Sequence, residues 1–195
     1  MTSIYDEMNL QTRKKIQDCF MELLSKKEFS KVSIKDITTN ASINRGTFYL
    51  HYVDKYELLD QIENQLLEGL KVHLEAMNMK DAMVKEKHME IAVLSTEVFR
   101  YFNQHAEQFM ILLSKNNTSG FHFRLKNFFI KQFEVNYYRS ELFKIDPSIP
   151  IDYISAFAAS AILGLIEQWL SHEKRETPEE IAKLYMKILL FIKTV

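Results

Sequence analysis

Apolar residues recur at helical spacing along most of this chain. Ile16, Cys19, Phe20, Leu23 and Leu24 fall at i, i+3, i+4, i+7 and i+8, one stripe of a first helix starting near Asn9 or Thr12. Cys19 lies inside that stripe, which makes it a small core residue rather than a reactive thiol. A short link through Phe29 and Lys31 follows. Ser33 then stands as an N-cap with Asp36 three residues on, a capping-box arrangement, and Ile34, Ile37 and Ala41 form the inner face of a second helix. Ala41-Ser42-Ile43 reads as a turn. Asn44 is placed to cap a third helix whose Phe48 faces inward. Asp54 caps a fourth, with Glu57 as its box partner and Leu58, Leu59 and Ile62 inside, running to about Met77.

Beyond it the pattern predicts helices at roughly 82–104, 106–115, 120–140, 151–172 and 178–193. Asn116-Asn117-Thr118-Ser119-Gly120 breaks the pattern, and Pro147 and Pro150 bracket another break. Thr177-Pro178-Glu179-Glu180 is a strong helix start, with a Thr cap, Pro in the first turn and Glu returning the cap. The expected fold is all-α: a three-helix N-terminal head, residues 1–55, continuous with a larger helical bundle, residues 56–195, about nine helices in all.

Composition agrees, since 4 Gly and 3 Pro in 195 residues leave few breakers for the many turns of an all-β fold. The single cysteine excludes an intramolecular disulfide, and the N-terminus shows no basic-then-apolar export signal. The longest uncharged apolar run, Tyr153 to Ile166, has 14 residues, against the roughly 20 of a membrane span. A soluble, cytoplasmic protein without a membrane partner is expected.

Charge is uneven although the net is −1. From Leu10 to Lys55, nine basic residues face five acidic ones, leaving the remainder at −5. A basic head on an acidic body suits docking of one end on phosphate. The chemistry at Val32–Tyr52 fits that: two short helices joined by a tight turn, a helix-turn-helix. The second opens Asn44-Arg45-Gly46-Thr47. Arg45 can make a bidentate contact with guanine or clamp a phosphate, and Gly46 lets the backbone come close. Thr47 can donate to phosphate or pack on a thymine methyl. Tyr49 and His51 offer an OH and an NH to the backbone, while Ser33 and Lys35 flank the groove and Lys55 opens the fourth helix. Taken singly, Arg45, Lys35 and Lys55 are ordinary solvated charges, and Tyr49 and Tyr52 ordinary half-buried aromatics. Their order carries the inference. No His, Cys, Asp and Glu spacing suits a metal, and no Gly-rich phosphate loop or nucleophile motif points to an enzyme.

From about Thr12 to Leu59 the chain resembles the DNA-binding domain of the TetR family of transcriptional regulators. The matching residues are Thr12-Arg13, the Ile37 segment, and Asn44 to Tyr52 followed by Lys55 and Leu58-Leu59. It departs where Ser42 replaces the usual turn Gly, Asn44 a common Ser cap, and Glu28 a frequent Gly. The resemblance implies phosphate or base contacts at Lys35, Asn44, Arg45, Gly46, Thr47, Tyr49, Leu50, His51 and Lys55. It also implies double-stranded DNA as partner, a homodimer, no cofactor, and a small-molecule effector of unknown identity.

Ile151 to Leu170 is apolar nearly all round, so it must be covered on every side. Ala158, Ala159, Ser160 and Gly164 would let another helix come close. A second copy of the chain is one cover, with Phe157, Ser160, Gly164 and Trp169 at the interface, and an intrachain core is the other. The pattern Phe157…Gly164…Gln168-Trp169-Leu170 with Pro178-Glu179-Glu180 resembles the C-terminal domain common in Firmicutes members of the family, in which two helices per chain build a four-helix bundle. Phe99, Tyr101, Phe102, Phe109, Phe121, Phe123, Phe128, Phe129, Phe133, Tyr137 and Tyr138 lie between, with Met79, Met83, Met89 and Met110 and His88, His105 and His122. They suit core packing first and an apolar or planar ligand second. The leading expectation is a dimeric, ligand-responsive repressor on a near-palindromic operator. The competing one is a co-activator of the same shape that works through protein contacts without reading DNA.

Overall fold

The structure, a computed structural model, describes residues 4–81, 87–114, 120–137 and 148–194. Among them are nine α-helices and no strand: α1 Ile4–Lys26, α2 Ile34–Asn40, α3 Arg45–Tyr49, α4 Lys55–Asp81, α5 Lys87–Gln104, α6 Ala106–Leu113, α7 Phe121–Tyr137, α8 Ile151–Ser171 and α9 Pro178–Thr194, with a 3-10 turn at Phe29–Lys31. The side chains of Met79, Met83, His88, Met89, Tyr137 and Tyr138, the segment 116–119 and Pro147 lie outside the described residues. Two compact units emerge. One is Met1–Leu66 with Ile111–Phe121, the other Leu67–Met110 with His122–Val195, so the chain first passes from one to the other within α4.

The first unit contains the helix-turn-helix head and, beyond the expected boundary at residue 55, the start of α4 to Leu66 and Ile111–Phe121. α1 begins at Ile4, earlier than its apolar stripe predicts, because Met8 and Leu10 in its opening turns are exposed and mark no buried face. From Ile16 onward the stripe is buried: Ile16, Phe20, Met21 and Leu24 meet Phe29, Val32, Ile37, Ala41, Phe48 and Tyr52 in one core. Burying each of the Ile, Leu, Val, Met and Phe side chains among them stabilises the fold by about 1.5–3 kcal/mol. Phe29 sets its ring edge-on to Phe20 at 6.3 Å and to Tyr56 at 5.1 Å, tying α1 to the start of α4. Cys19 sits half-buried at the margin of the stripe, where burial and then Glu22 raise its thiol pKa.

The second unit is built around α5, α8 and α9. Phe99 stands edge-on to Trp169 at 5.6 Å and to Tyr185 at 5.9 Å, and Arg100 bridges Glu97 and, at 2.6 Å, Glu179. α9 starts at the predicted cap: the Glu180 amide donates to Thr177 Oγ1 at 3.2 Å, and the Thr177 amide donates to Glu180 Oε2 at 2.8 Å. Tyr101, Phe102, Phe109 and Phe129 are buried aromatics of this unit. His73 and His105 lie against Tyr101 at 5.1 and 4.6 Å. Gly69 leaves room for Tyr101: a Cβ there would fall inside its hydroxyl and 2.6 Å from Cζ.

Candidate nucleic-acid interface

The start of α2 is held by a closed capping box. Ser33 Oγ accepts from the Asp36 amide at 3.2 Å, while Asp36 Oδ2 takes the Ser33 N–H at 2.9 Å and its hydroxyl at 2.8 Å. Lys27 Nζ reaches the same oxygen at 2.9 Å. The Ser33 N–H, the Lys27 ammonium and the Ser33 hydroxyl together hold the Asp36 carboxyl well below the ordinary carboxylate range. Ser33 thus spends its hydroxyl proton inside the head and serves the interface by fixing the first turn of α2, from which Lys35 projects exposed.

The turn follows Ala41, with the Ile43 amide returning to the Thr38 carbonyl at 3.0 Å. Ser42 adopts φ 50, the left-handed region that an L residue enters only with strain. Here the chain departs from the family glycine, and the backbone keeps the glycine geometry. Ser42→Gly is expected to stabilise the head by about 0.5–1 kcal/mol, seen as a higher denaturation midpoint with an unchanged m-value. A lower midpoint would show that the serine supplies more than it strains.

Asn44 caps α3 as its composition predicts. Its Oδ1 accepts the Thr47 amide at 2.7 Å and the Thr47 hydroxyl at 3.0 Å. Gly46 has a reason for being glycine inside the protein: a Cβ would stand 3.2 Å from Asn44 Oδ1 and press on that cap. α3 buries Phe48 completely, and Phe48 packs on Tyr52 at 5.7 Å. The opposite side is open. Arg45, Tyr49 and Leu50 are exposed, Leu50 at 82%. The Arg45 guanidinium rests on Tyr49, donating from Nε and Nη2 to its hydroxyl at 3.2 and 3.0 Å. His51 is half-buried, and desolvation, followed by the charge of Arg13, lowers its pKa, so near neutral pH it offers a single N–H. Arg13, part of the Thr12-Arg13 match to the family but not among the expected contacts, is placed by α1 with its guanidinium 5.7 Å from the Tyr52 ring centre and joins this surface.

Lys55 differs from expectation. Its ammonium points into the head and donates to the carbonyls of Phe29 at 2.9 Å, Ser30 at 3.3 Å and Val32 at 2.8 Å. The cap of α4 is Asp54, which accepts from the Tyr56 and Glu57 amides at 2.9 and 2.8 Å; Glu57 returns one residue further back than predicted, onto the Val53 amide.

On α8 the expected interface residues separate. Phe157, Ser160 and Gly164 are exposed, and nothing lies within 4 Å of a Cβ built on Gly164. Trp169 is 1% exposed, edge-on to Phe99, with its indole N–H donating to the Glu176 carbonyl at 2.9 Å. It belongs to the core of its own chain and presents no surface to a partner. Sequence reasoning passed over Tyr153 and Ala161, which with Phe157, Gly164 and Gln168 make one exposed face at i, i+4, i+8, i+11 and i+15. Leu184 and Ile188 leave a similar face on α9. Among the described residues α8 is the one helix long and apolar enough to cross a membrane. Its composition has a local cause, because Ser155, Ala159, Leu163, Ile166, Trp169 and Leu170 are buried in the body. Of the body histidines, His105 Nδ1 lies 2.9 Å from Gln108 Oε1 and His122 Nε2 lies 3.3 Å from Glu167.

Residues 21–62 match the family model for bacterial regulatory proteins of the tetR family, and residues 91–190 match that for a transcriptional regulator C-terminal region. An uncharacterized HTH-type transcriptional regulator of Bacillus subtilis (strain 168), YxbF, is 21% identical over 169 residues, 86% of this chain and 42% of the relative. The chain therefore spans less than half the length of that relative. The crystal structure of a TetR transcriptional regulator from Streptococcus agalactiae 2603V superposes with a TM-score of 0.67 at 21% identity, over 95% of this chain and 97% of the other. NalD, the secondary repressor of the MexAB-OprM multidrug efflux pump in Pseudomonas aeruginosa, gives 0.68 at 22% identity over 94% and 96%. With one family model on the helix-turn-helix and another on just over half of the chain, this protein belongs to the TetR family of transcriptional regulators.

Proposed function

We propose that the chain is a dimeric, DNA-binding repressor that reads a near-palindromic operator and releases it when the body binds a small molecule. One observation carries the DNA reading: α3 buries Phe48 and exposes Arg45, Tyr49 and Leu50 around a helix start that Asn44 and Gly46 hold open. Lys35 and His51 flank it with phosphate donors, and Thr47, whose hydroxyl proton is held by Asn44 and not free for a phosphate, adds its methyl. Residues 1–55 act as the reading domain and 56–195 as the regulatory and dimerising one. Tyr153, Phe157, Ser160, Ala161 and Gly164 on α8, with Leu184 and Ile188 on α9, are the apolar surface that a second copy covers. Two heads on a twofold axis then meet half-sites about 34 Å apart or a multiple of that. Repression and an effector are supported by family membership and by the repressor named among the similar structures. The chain works without catalysis, in the cytoplasm where its DNA lies.

Selection of duplexes from a genomic pool with the purified protein supplies the operator. On it, Arg45→Ala is expected to cost about 1–3 kcal/mol and to relax the base preference, while random duplex binding changes far less. Equal losses on both duplexes would remove Arg45 from base reading. A wild-type protein with no salt-sensitive duplex affinity would favour action through protein contacts instead.

A further inference from the structure

We infer that Lys55 is a positioning residue inside the head and takes no phosphate. This departs from what its place in the DNA-binding motif implies, and it rests on the DNA-reading proposal only for its relevance to binding.

An ammonium has three N–H donors, and here three carbonyls, of Phe29, Ser30 and Val32, take them at 2.8–3.3 Å. The Phe29 and Tyr56 rings flank the half-buried ammonium, their centres 4.6 and 5.6 Å from Nζ. No donor remains for a fourth oxygen. To reach a phosphate the side chain would surrender all three carbonyls and leave a cation site beside two rings, with only the Phe29 carbonyl still taking the Val32 amide, at 3.1 Å, among the backbone bonds of the 3-10 turn. A positive charge at the first residue of a helix also opposes the helix dipole, so the carbonyls supply what α4 does not.

The consequence is positional. Phe29, Ser30 and Val32 lead straight into Ser33, whose box with Asp36 sets the first turn of α2 and the exposed Lys35. Lys55 is the first residue of α4. Its ammonium therefore fastens the opening of α4 to the entry of α2, and the two keep one geometry. Charge at position 55 contributes to operator affinity through that geometry, without releasing a counterion.

Two measurements test this on the whole protein. The first titrates operator and random duplex against salt for wild type, Lys55→Met and Lys55→Arg, alongside thermal melting. Lys55→Met is expected to lower the melting temperature and weaken operator binding by a similar factor at every salt concentration, with the slope of log K on log salt unchanged. Lys55→Arg, whose planar fork cannot gather three carbonyls about one point, is expected to fall between. A slope shallower by about 0.9 in Lys55→Met would overturn the inference, since that is the signature of one lost phosphate contact. The second uses wild type alone and holds even where a variant does not fold: amine-reactive labelling read by mass spectrometry. Lys55 is expected to react more slowly than Lys35 in the free protein, with no further protection by DNA. Equal reactivity in the free protein, with protection only on DNA, would overturn it. A wild-type protein with no salt-sensitive duplex binding would remove the DNA reading and leave the labelling result standing.

Discussion

Trp169→Ala is expected to cost about 3–5 kcal/mol of stability, a large share of the roughly 5–15 kcal/mol that holds a domain together. The indole is the largest fully buried side chain of the molecule. Removing it leaves a void beside Phe99, deletes the hydrogen bond to the Glu176 carbonyl and frees the segment between α8 and α9. The loss is expected within the single chain, so denaturant midpoints should fall at every protein concentration. Phe157→Ala makes the contrast. Phe157 is 62% exposed on the same helix, and its truncation should shift the monomer–dimer equilibrium in analytical ultracentrifugation while the stability of the monomer barely changes. A Trp169 variant that melts like wild type but no longer dimerises would restore the interface role that the helix pattern first suggested.

Gly69→Ala is expected to destabilise the body by about 1–3 kcal/mol, an unusually large effect for one added methyl. The new carbon would collide with the Tyr101 hydroxyl and stand 2.6 and 2.9 Å from ring carbons Cζ and Cε2. Tyr101 cannot retreat freely, being 7% exposed with His73, His105 and Phe109 around it. Tyr101→Phe in the Gly69→Ala background should recover only part of the loss, because the ring carbons still conflict. Tyr101→Ala should make the Gly69 substitution nearly neutral. Additive losses in that double-mutant cycle would show that the two residues do not meet.

The contrast between these positions and the caps explains what a sequence can disclose. Ser33 with Asp36, Asn44, Asp54 and Thr177 with Glu180 were all legible, because a cap joins residues two to four apart and its chemistry is written locally. Phe48 facing inward followed from spacing alone. Gly69 and Tyr101 meet across 32 residues, and neither carries a mark of the other. Lys55 reaches back 26 residues to Phe29, so its charge was visible and its partners were not. Trp169 and Phe157 share a helix that is apolar all round, a pattern that demands cover without saying which side the chain supplies and which a partner must. The early start of α1 escaped for the opposite reason, since Met8 and Leu10 are exposed and give periodicity no stripe to detect. Ser42 lay between: the resemblance marked it as a glycine position, and only the backbone showed that the left-handed geometry persists there.

The chain holds a single tryptophan, and it is the one packed against Phe99. Intrinsic fluorescence therefore reports on one unit alone. Native emission should be blue-shifted by the dry surroundings of the indole and should move to the red as the body opens. The head, lit only by tyrosines, could melt unseen by that signal, so circular dichroism that changes before the emission does would time the two events separately.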